Sequence, residues 1–352
     1  MQTFRDLEKH LGLVPSEVAT TLAEVERGRG REESFRRQNP QLLHTLVEVA
    51  RIQSTEASNA IENIVAPHRR IVELVEEKTT PDTRPEQEIA GYRLVLDRIH
   101  SSAEAIPLKP SVDLQLHRDL YSFTSTPGGK WKSTQNEVAE IDAKGNKIAI
   151  VFQGTPPFAT PGAIDELHDR FEESVKEGRY PRPLLIGAFV FDFLMIHPFN
   201  DGNGRISRLL TLLMLYQAGH DVGRFVSLEK LIADSKETYY ESLRKSTAGW
   251  EKGAHDIWPW INYFLGILTA AYKELEERVG DVASGRGSKR ARIHQLIRSN
   301  VSDEFTFEEL SRALPDISAV HIRKEIRKLR DQGAVESPGP GGRIWKRLRS
   351  DF

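Results

Sequence analysis

Residues 197–208, HPFNDGNGRISR, form a polar stretch set between two apolar segments, 184–196 and 209–216. The upstream segment is longer than an ordinary strand and lacks strict alternation. The downstream one stops at Gly219, the residue type that commonly ends a helix in the left-handed conformation. The pattern predicts helix, polar loop, helix. That geometry places the backbone N–H groups of Gly202, Asn203 and Gly204 at the start of the second helix, where unpaired donors and the helix dipole favour an anion such as phosphate.

The side chains around this cradle suit chemistry at phosphorus. Asp201 offers a hard oxygen to Mg²⁺, and Arg205 and Arg208 offer forked donors to phosphate oxygens. His197 can take a proton near neutral pH, which makes it a candidate general base for a hydroxyl nucleophile. Taken singly, each residue has an ordinary explanation: a structural histidine, a tight turn at the glycines, a helix cap at Asp201, solvated arginines. Their combination points to group transfer driven by positioning and electrostatic stabilisation.

Composition narrows the alternatives. The 352 residues include no cysteine, so disulfides and thiolate metal sites are excluded. The N-terminal MQTFRDLEKH has no apolar core and the longest apolar run, 184–196, contains Gly187 and Asp192, so the sequence favours neither secretion nor membrane spanning and a cytoplasmic location is expected. Lys plus Arg number 15 in residues 286–352 against 9 Asp plus Glu, a tail of +6 within a chain of net charge −2. The shift falls across the small-residue stretch 280–288, which reads as a linker.

Four regions follow. Residues 1–105 carry helical periodicity and no strand-like alternation; 106–279 hold the loop; 280–288 connect; 289–352 have their own pattern. The fold class expected is mainly α. One β-hairpin is expected in the middle region, from 137–142 and 147–152 around the turn-prone 144–146. In the tail, a helix over 290–299 is followed by a second opening at the capping box Thr306–Glu309 and a third over about 318–332. A two-stranded ribbon, 334–337 with 343–348, closes it. Three helices and a ribbon resemble a winged helix-turn-helix domain.

HPFNDGNGRISR also matches in full the H-x-F-x-[DE]-G-N-G-R-x-x-R signature of Fic-domain proteins, which mostly transfer AMP from ATP to hydroxyl groups of target proteins. The resemblance implies a Fic-type helical core with a β-hairpin flap, an N-terminal helical layer and an appended winged helix. It implies that His197 deprotonates a Ser, Thr or Tyr hydroxyl and Asp201 holds Mg²⁺ against the phosphates. Asn203 with Gly202 and Gly204 would cradle the anion, Arg205 and Arg208 would hold the β- and γ-phosphates, and Phe199 would anchor the loop in the core.

Upstream, Ser58-Asn-Ala-Ile-Glu-Asn63 is similar to the family's inhibitory motif, [ST]-x-x-x-E-[GN], and Ser58 and Glu62 are four apart on one helical face. The resemblance implies that Glu62 pairs with Arg208 and excludes ATP from a productive pose. The hairpin at about 136–152 resembles the flap on which the family docks its target as an added strand. Ser227-Leu-Glu229 with Tyr239-Tyr240 resembles the adenine-side landmark, with Tyr240 as the base contact and Thr247 where some members have Asn. Tyr239, Trp258 and Trp260 read as packing.

The third tail helix interleaves Arg323, Lys324, Arg327, Lys328 and Arg330 with Ile322, Ile326 and Leu329; with Arg343 and Lys346 on the ribbon, it presents a basic side to DNA, or a docking surface to a protein. A homodimer is a further expectation, and a membrane partner is not expected. Two other functions fit the same residues. One is a DNA-binding regulator whose middle domain senses nucleotide. The other is an enzyme run in reverse, with Glu62 orienting water to remove AMP from a modified target.

Overall fold

The residues flanking the loop form two helices at the heart of a mainly helical chain. The computed structural model describes residues 1–38, 40–141, 147–283, 289–299, 303–337 and 343–348. In order, the elements are α1 (Leu7–Leu11), α2 (Ser16–Gln38), α3 (Pro40–Ile61), α4 (His68–Val75), α5 (Arg84–Ser102) and α6 (Pro110–Leu120), then strands β1 (Glu137–Ile141) and β2 (Lys147–Gln153). They continue with α7 (Thr160–Glu177), α8 (Arg182–Ile196), α9 (Asn203–Gln217), α10 (Leu228–Asp234), α11 (Lys236–Thr247) and α12 (Trp258–Ala283). The tail is α13 (Lys289–Ser299), β3 (Glu304–Thr306), α14 (Phe307–Ala313), α15 (Ala319–Asp331), β4 (Val335–Glu336) and β5 (Ile344–Arg347).

α8 is apolar all round because it is the centre: every residue from Pro183 to Ile196 is buried. Pro183 in its first turn supplies a preset φ where no N–H is needed. α8 packs against α7, α9 and α12, and α9 in turn meets α5 and α6. α2 runs along α12, and α3 is wedged against α5 and α10. The apolar core is continuous from Met1 to Val279, so the N-terminal helices and the central region share one interior. The large hydrophobic area this removes from water outweighs the weak intrinsic preference of any single helix.

A second, separate cluster runs from Ile293 to Val335 and forms the interior of the tail. Its capping box is present as the sequence predicts, with Thr306 accepting from the Glu309 N–H and Glu309 accepting from the Thr306 N–H. The ribbon, however, has three strands: β3 pairs with β5 and β5 with β4, all antiparallel, in the order β3-β5-β4. The backbone of Thr306 is extended (φ −112°, ψ 157°), so the residue that caps α14 also ends a strand. Arg312 of α14 pairs at 2.6 Å with Glu76, just beyond α4, which joins the tail to the N-terminal layer.

The expected flap hairpin is present as β1 paired with β2, with irregularities at Val138/Ala139 and Glu140/Ile141. Its predicted turn, 144–146, lies outside the described residues, as do 284–288 of the predicted linker and 338–342 between the ribbon strands. α12 extends into the stretch read as linker, ending at Ala283. Among the described residues no helix is long and apolar enough to cross a membrane.

Candidate active site

His197 is the C-cap of α8 and adopts the left-handed conformation, φ 53°, with its N–H on the Phe193 carbonyl. The turn lifts the imidazole out of the helix ladder. Its Nδ1 lies 3.2 Å from the Leu194 carbonyl oxygen, which can only accept. Nδ1 therefore carries the proton and Nε2 keeps a lone pair. Burial lowers the pKa of His197. The Leu194 bond opposes that shift and the positive charge of Lys132 adds to it, with smaller opposing contributions from Glu62 and Asp201. The ring is a neutral base at pH 7.

The loop after His197 is braced from inside. The Asn203 side chain accepts from the Phe199 N–H at 2.8 Å and donates to the Phe199 carbonyl at 2.8 Å. Phe199 is fully buried, stacked on His117 with ring centroids 3.9 Å apart and planes 4° apart, and on Trp131 at 5.2 Å. His117 Nδ1 accepts the Gly129 N–H at 2.8 Å, so Nε2 is protonated and donates to the Asp201 carbonyl at 3.1 Å. Burial pushes the His117 pKa down to about 4, which keeps this latch neutral.

Gly202, with φ 80°, is the N-cap of α9, and its N–H is taken by the Asp201 carboxylate at 2.7 Å. The Asn203 side chain is taken up by the Phe199 backbone and shapes the loop. No side chain caps α9, so the first-turn N–H groups from Asn203 onward are the ones directed at a ligand. Asp201 itself is exposed at the mouth, with 68% of its side-chain surface open. Mg²⁺ characteristically takes one or two protein carboxylates together with water and substrate phosphates, and no group of three acidic or imidazole ligands exists among the described residues. One exposed carboxylate beside a phosphate cradle fits a metal that arrives with the nucleotide.

The two arginines diverge. Arg205 is fully buried, 2.8 Å from Glu88 Oε2, donating to the Tyr121 hydroxyl at 2.9 Å and to Asn59 Oδ1 at 3.4 Å. An acid on α5 and a hydroxyl after α6 draw it into the protein, where it links α3 and α5 to the loop. Arg208 points the other way. Its Nη2 donates to Glu62 Oε1 at 2.8 Å and to the Ser58 carbonyl at 2.9 Å, and its Nε donates to Ser58 Oγ at 2.9 Å. Burial alone would lower its pKa, but the Glu62 carboxylate, together with Tyr239 and Tyr92, more than offsets that and holds the guanidinium charged. Nη1 is buried with no hydrogen-bond partner found among the described residues and lies 3.2 Å from where a β-carbon on Gly204 would sit.

Glu62 reaches this place because α3 stops at Ile61 and the chain turns at once. Asn63 has φ 61°, a conformation that Asn and Gly tolerate best, which is the physical content of the [GN] position in the motif. Lys236 of α11 holds the turn through the Ile61 carbonyl at 2.8 Å. Further up α3, Ser54 donates to Ser227, and Ser227 and Tyr92 both donate to the buried carboxylate of Glu229. The Glu62 carboxylate rests on Gly204, so that a β-carbon there would be 2.1 Å from Oε1. The Glu62 carboxylate thus lies against the first turn of α9 while it pairs with Arg208.

Beside Glu62, Tyr240 is 44% exposed and edge-on to Tyr239, with the Lys236 ammonium 6.0 Å above its ring. Burial raises its pKa, with Glu62 as the next cause. Tyr239 is buried against Trp260, as packing. Thr247, where an Asn stands in some relatives, bonds back to the Leu243 carbonyl at 2.8 Å. Two residues of the site carry no sequence signal. His117 lies 84 positions from the carbonyl it holds, and Lys132 is buried with Nζ on the Ile196 carbonyl at 3.0 Å and on Asn136 Oδ1 at 2.9 Å. Burial lowers the Lys132 pKa to about 8.

The loop and its supporting helices coincide with a known family. The Fic/DOC family profile matches residues 107–215, from α6 to all but the last two residues of α9. A Fido domain-containing protein of Dictyostelium discoideum is 32% identical over 111 residues, 29% of this chain and 71% of that protein. The chain belongs to the Fic/DOC family. A protein adenylyltransferase Fic of Drosophila erecta is 26% identical to this Fic protein over 244 residues, 65% of the chain but 44% of the relative, so the chain spans less than half the length of that enzyme. A solved Fic family protein from Desulfovibrio desulfuricans superposes with a TM-score of 0.61 at 21% identity, covering 96% of this chain and 97% of that one. The fold of that protein therefore extends over nearly all of this chain, which is mainly helical with two small sheets among the described residues.

Proposed function

We propose that this Fic protein is a protein adenylyltransferase that moves AMP from ATP to a Ser, Thr or Tyr hydroxyl of a target protein or of itself, held in check by Glu62. The observation that supports the reading is the Glu62 carboxylate on Arg208 Nη2 at 2.8 Å, beside Gly204 in the first turn of α9, with the Nε2 of His197 left as an acceptor on the same loop. A triphosphate would supply the anion that Glu62 mimics.

In this scheme His197 Nε2 takes the proton of the target hydroxyl, and the oxygen attacks the α-phosphorus. The bond from that phosphorus to the bridging oxygen breaks, and pyrophosphate leaves. Arg208 and the α9 amides stabilise the charge on the departing phosphates. Asp201 would hold Mg²⁺, which neutralises phosphate charge when bound. Tyr240 would flank the adenine, its face suited to a purine ring. The β1–β2 hairpin forms a sheet of its own, two strands wide, whose edges are suited to receive the target segment as a further strand and so to present its hydroxyl.

Glu62 would act as the brake because the Arg208 nitrogen it occupies is one that the terminal phosphate needs. Incubation of the protein with Mg²⁺ and labelled ATP tests the function. Incorporation should be low in the wild type, raised in Glu62→Gly and lost in Glu62→Gly/His197→Ala. Labelling that survives loss of His197 would exclude the mechanism.

A further inference from the structure

α3 presents two opposite stripes. Ala50, Ser54, Ala57, Ser58 and Ile61 recur at helical spacing, are buried, and form the side from which Ser58 reaches Arg208. Thr45, Val49 and Ile52 lie half a turn away and face the tail. The tail has an apolar core of its own, and where it meets α3 and α4 the side chains leave a gap. Val49 and Ile52 of α3, Val72 of α4, Leu296 of α13 and Leu310 and Ala313 of α14 line a cavity there of about 360 Å³. Val49, Val72 and Leu296 are only half-buried, so apolar surface is left open on both sides of the junction.

The same walls carry three acids, and they are not equally engaged. Glu76 is held by Arg312 and by Lys78, each at 2.6 Å, and Glu48 by Arg51 at 3.2 Å. Glu309 differs. Its Oε2 accepts the Thr306 N–H at 2.7 Å in the capping box, and its charge forms no ion pair with a described residue. The imidazole on the α4 side, His68, is already committed, with Nδ1 3.0 Å from Glu56 Oε2. Burial would lower the His68 pKa, yet the bond to Glu56 and the charges of Glu56, Glu309 and Glu304 raise it. The field at this end of the cavity is therefore negative, and the Glu309 carboxylate is the charge without a counter-ion.

We propose that this cavity binds a small amphipathic amine, with its apolar body among Val49, Val72, Leu296 and Ala313 and its ammonium beside Glu309. Small-molecule sites are mostly apolar hollows of roughly 300–1,000 Å³ with a few fixed polar groups, and they recur at junctions between structural units. The apolar walls supply affinity in proportion to the area covered, and the carboxylate supplies a charge-assisted hydrogen bond to the cation. An anion of the same size, whether a carboxylate or a nucleotide, would meet Glu309 and Glu304 and be disfavoured, which separates this cavity from the phosphate-binding pocket at α9. An occupant touches α3, α4 and α14 together, so binding ties the tail to the N-terminal layer and raises the melting temperature. The cavity lies on the side of α3 away from Arg208, and neither this reading nor that of AMP transfer depends on the other.

The test is titration calorimetry of the full chain with three probes that share one ring system: tryptamine, a cation; tryptophol, neutral; and indole-3-acetate, an anion. Tryptamine should bind at one site, roughly tenfold or more tighter than tryptophol, the factor a hydrogen bond to a charged group supplies, and indole-3-acetate should bind more weakly still. Val49→Trp fills the apolar half of the cavity and should abolish tryptamine binding. Glu309→Gln removes the charge but keeps a residue that serves at the same place in a capping box, so α14 stays capped and tryptamine falls to the affinity of tryptophol. Circular dichroism of both variants should match the wild type, and Glu309→Gln decides alone if the tryptophan disturbs the fold. The proposal is overturned by the absence of saturable tryptamine binding, by indole-3-acetate binding as tightly as tryptamine, or by an unchanged preference for tryptamine over tryptophol in Glu309→Gln.

Discussion

Replacing Glu62 by Gly removes the anion that lies on Gly204 and frees Arg208 Nη2. The substitution deletes one charge-assisted hydrogen bond of 2.8 Å between a buried guanidinium and a carboxylate that keeps 33% of its side-chain surface exposed. Hydrogen bonds to charged groups contribute about 1.5–3 kcal/mol, and the partial exposure argues against the upper end. If that bond is what disfavours the ATP-competent state, its removal raises the competent fraction by about 10- to 150-fold, at 1.36 kcal/mol per factor of ten. Glu62→Gln, which keeps an acceptor but no charge, should give an intermediate gain. Initial rates of labelled AMP incorporation at subsaturating ATP measure the ratio directly. The fold should also become less stable, because Arg208 keeps its bonds to Ser58 but not its counter-charge. Saturating ATP should recover that stability and raise the melting temperature of Glu62→Gly more than that of the wild type. Rates within twofold for all three proteins would refute the reasoning, as would a Gln variant as active as the Gly variant.

Three further substitutions probe the pocket and its supports. Gly204→Ala puts a β-carbon on the anion site, so in the Glu62→Gly background it should lower ATP affinity at least tenfold by calorimetry; unchanged affinity would move the site elsewhere. Lys132→Met removes a charge that depresses the His197 pKa, so the acidic limb of the rate–pH profile of Glu62→Gly should move to higher pH, and an unmoved limb would separate Lys132 from the base. His117 is neutral in the fold, with its pKa pushed down to about 4 against an unfolded value of about 6.5. Its latch therefore stabilises fully above the unfolded value and weakens as pH falls toward the folded one, because the unfolded chain binds the proton first. His117→Phe should flatten that acid-side slope in thermal melts, and a slope equal to the wild type would contradict the assignment.

The loop is legible in the sequence because its residues are local: the helix-loop-helix pattern and the positions of His197, Asp201, Gly202 and Arg208 need only spacing. Glu62 is legible through the pairing of two motifs, and its carboxylate lies on Arg208 across 146 positions. The inward course of Arg205 is not, because Glu88 and Tyr121, which draw it there, belong to α5 and the turn after α6 and carry no pattern tying them to the loop. His117 and Lys132 are hidden for the same reason, as lone polar residues whose burial only the assembled core creates. β3 is hidden because three residues with Phe305 alone buried give no alternation to read. The basic stripe on α15 is visible in sequence, but the inward turn of Glu325 and the acids opposite Lys346 decide which cations face out.

The most direct measurement is intact mass of Glu62→Gly and of Glu62→Gly/His197→Ala after incubation with Mg²⁺ and each nucleoside triphosphate in turn. The expected result is an added AMP, from ATP, on the first protein or on a protein supplied with it, and no adduct with the second. An adduct that forms without His197, or none from any nucleotide once Glu62 is gone, would contradict the assignment of AMP transfer to this pocket.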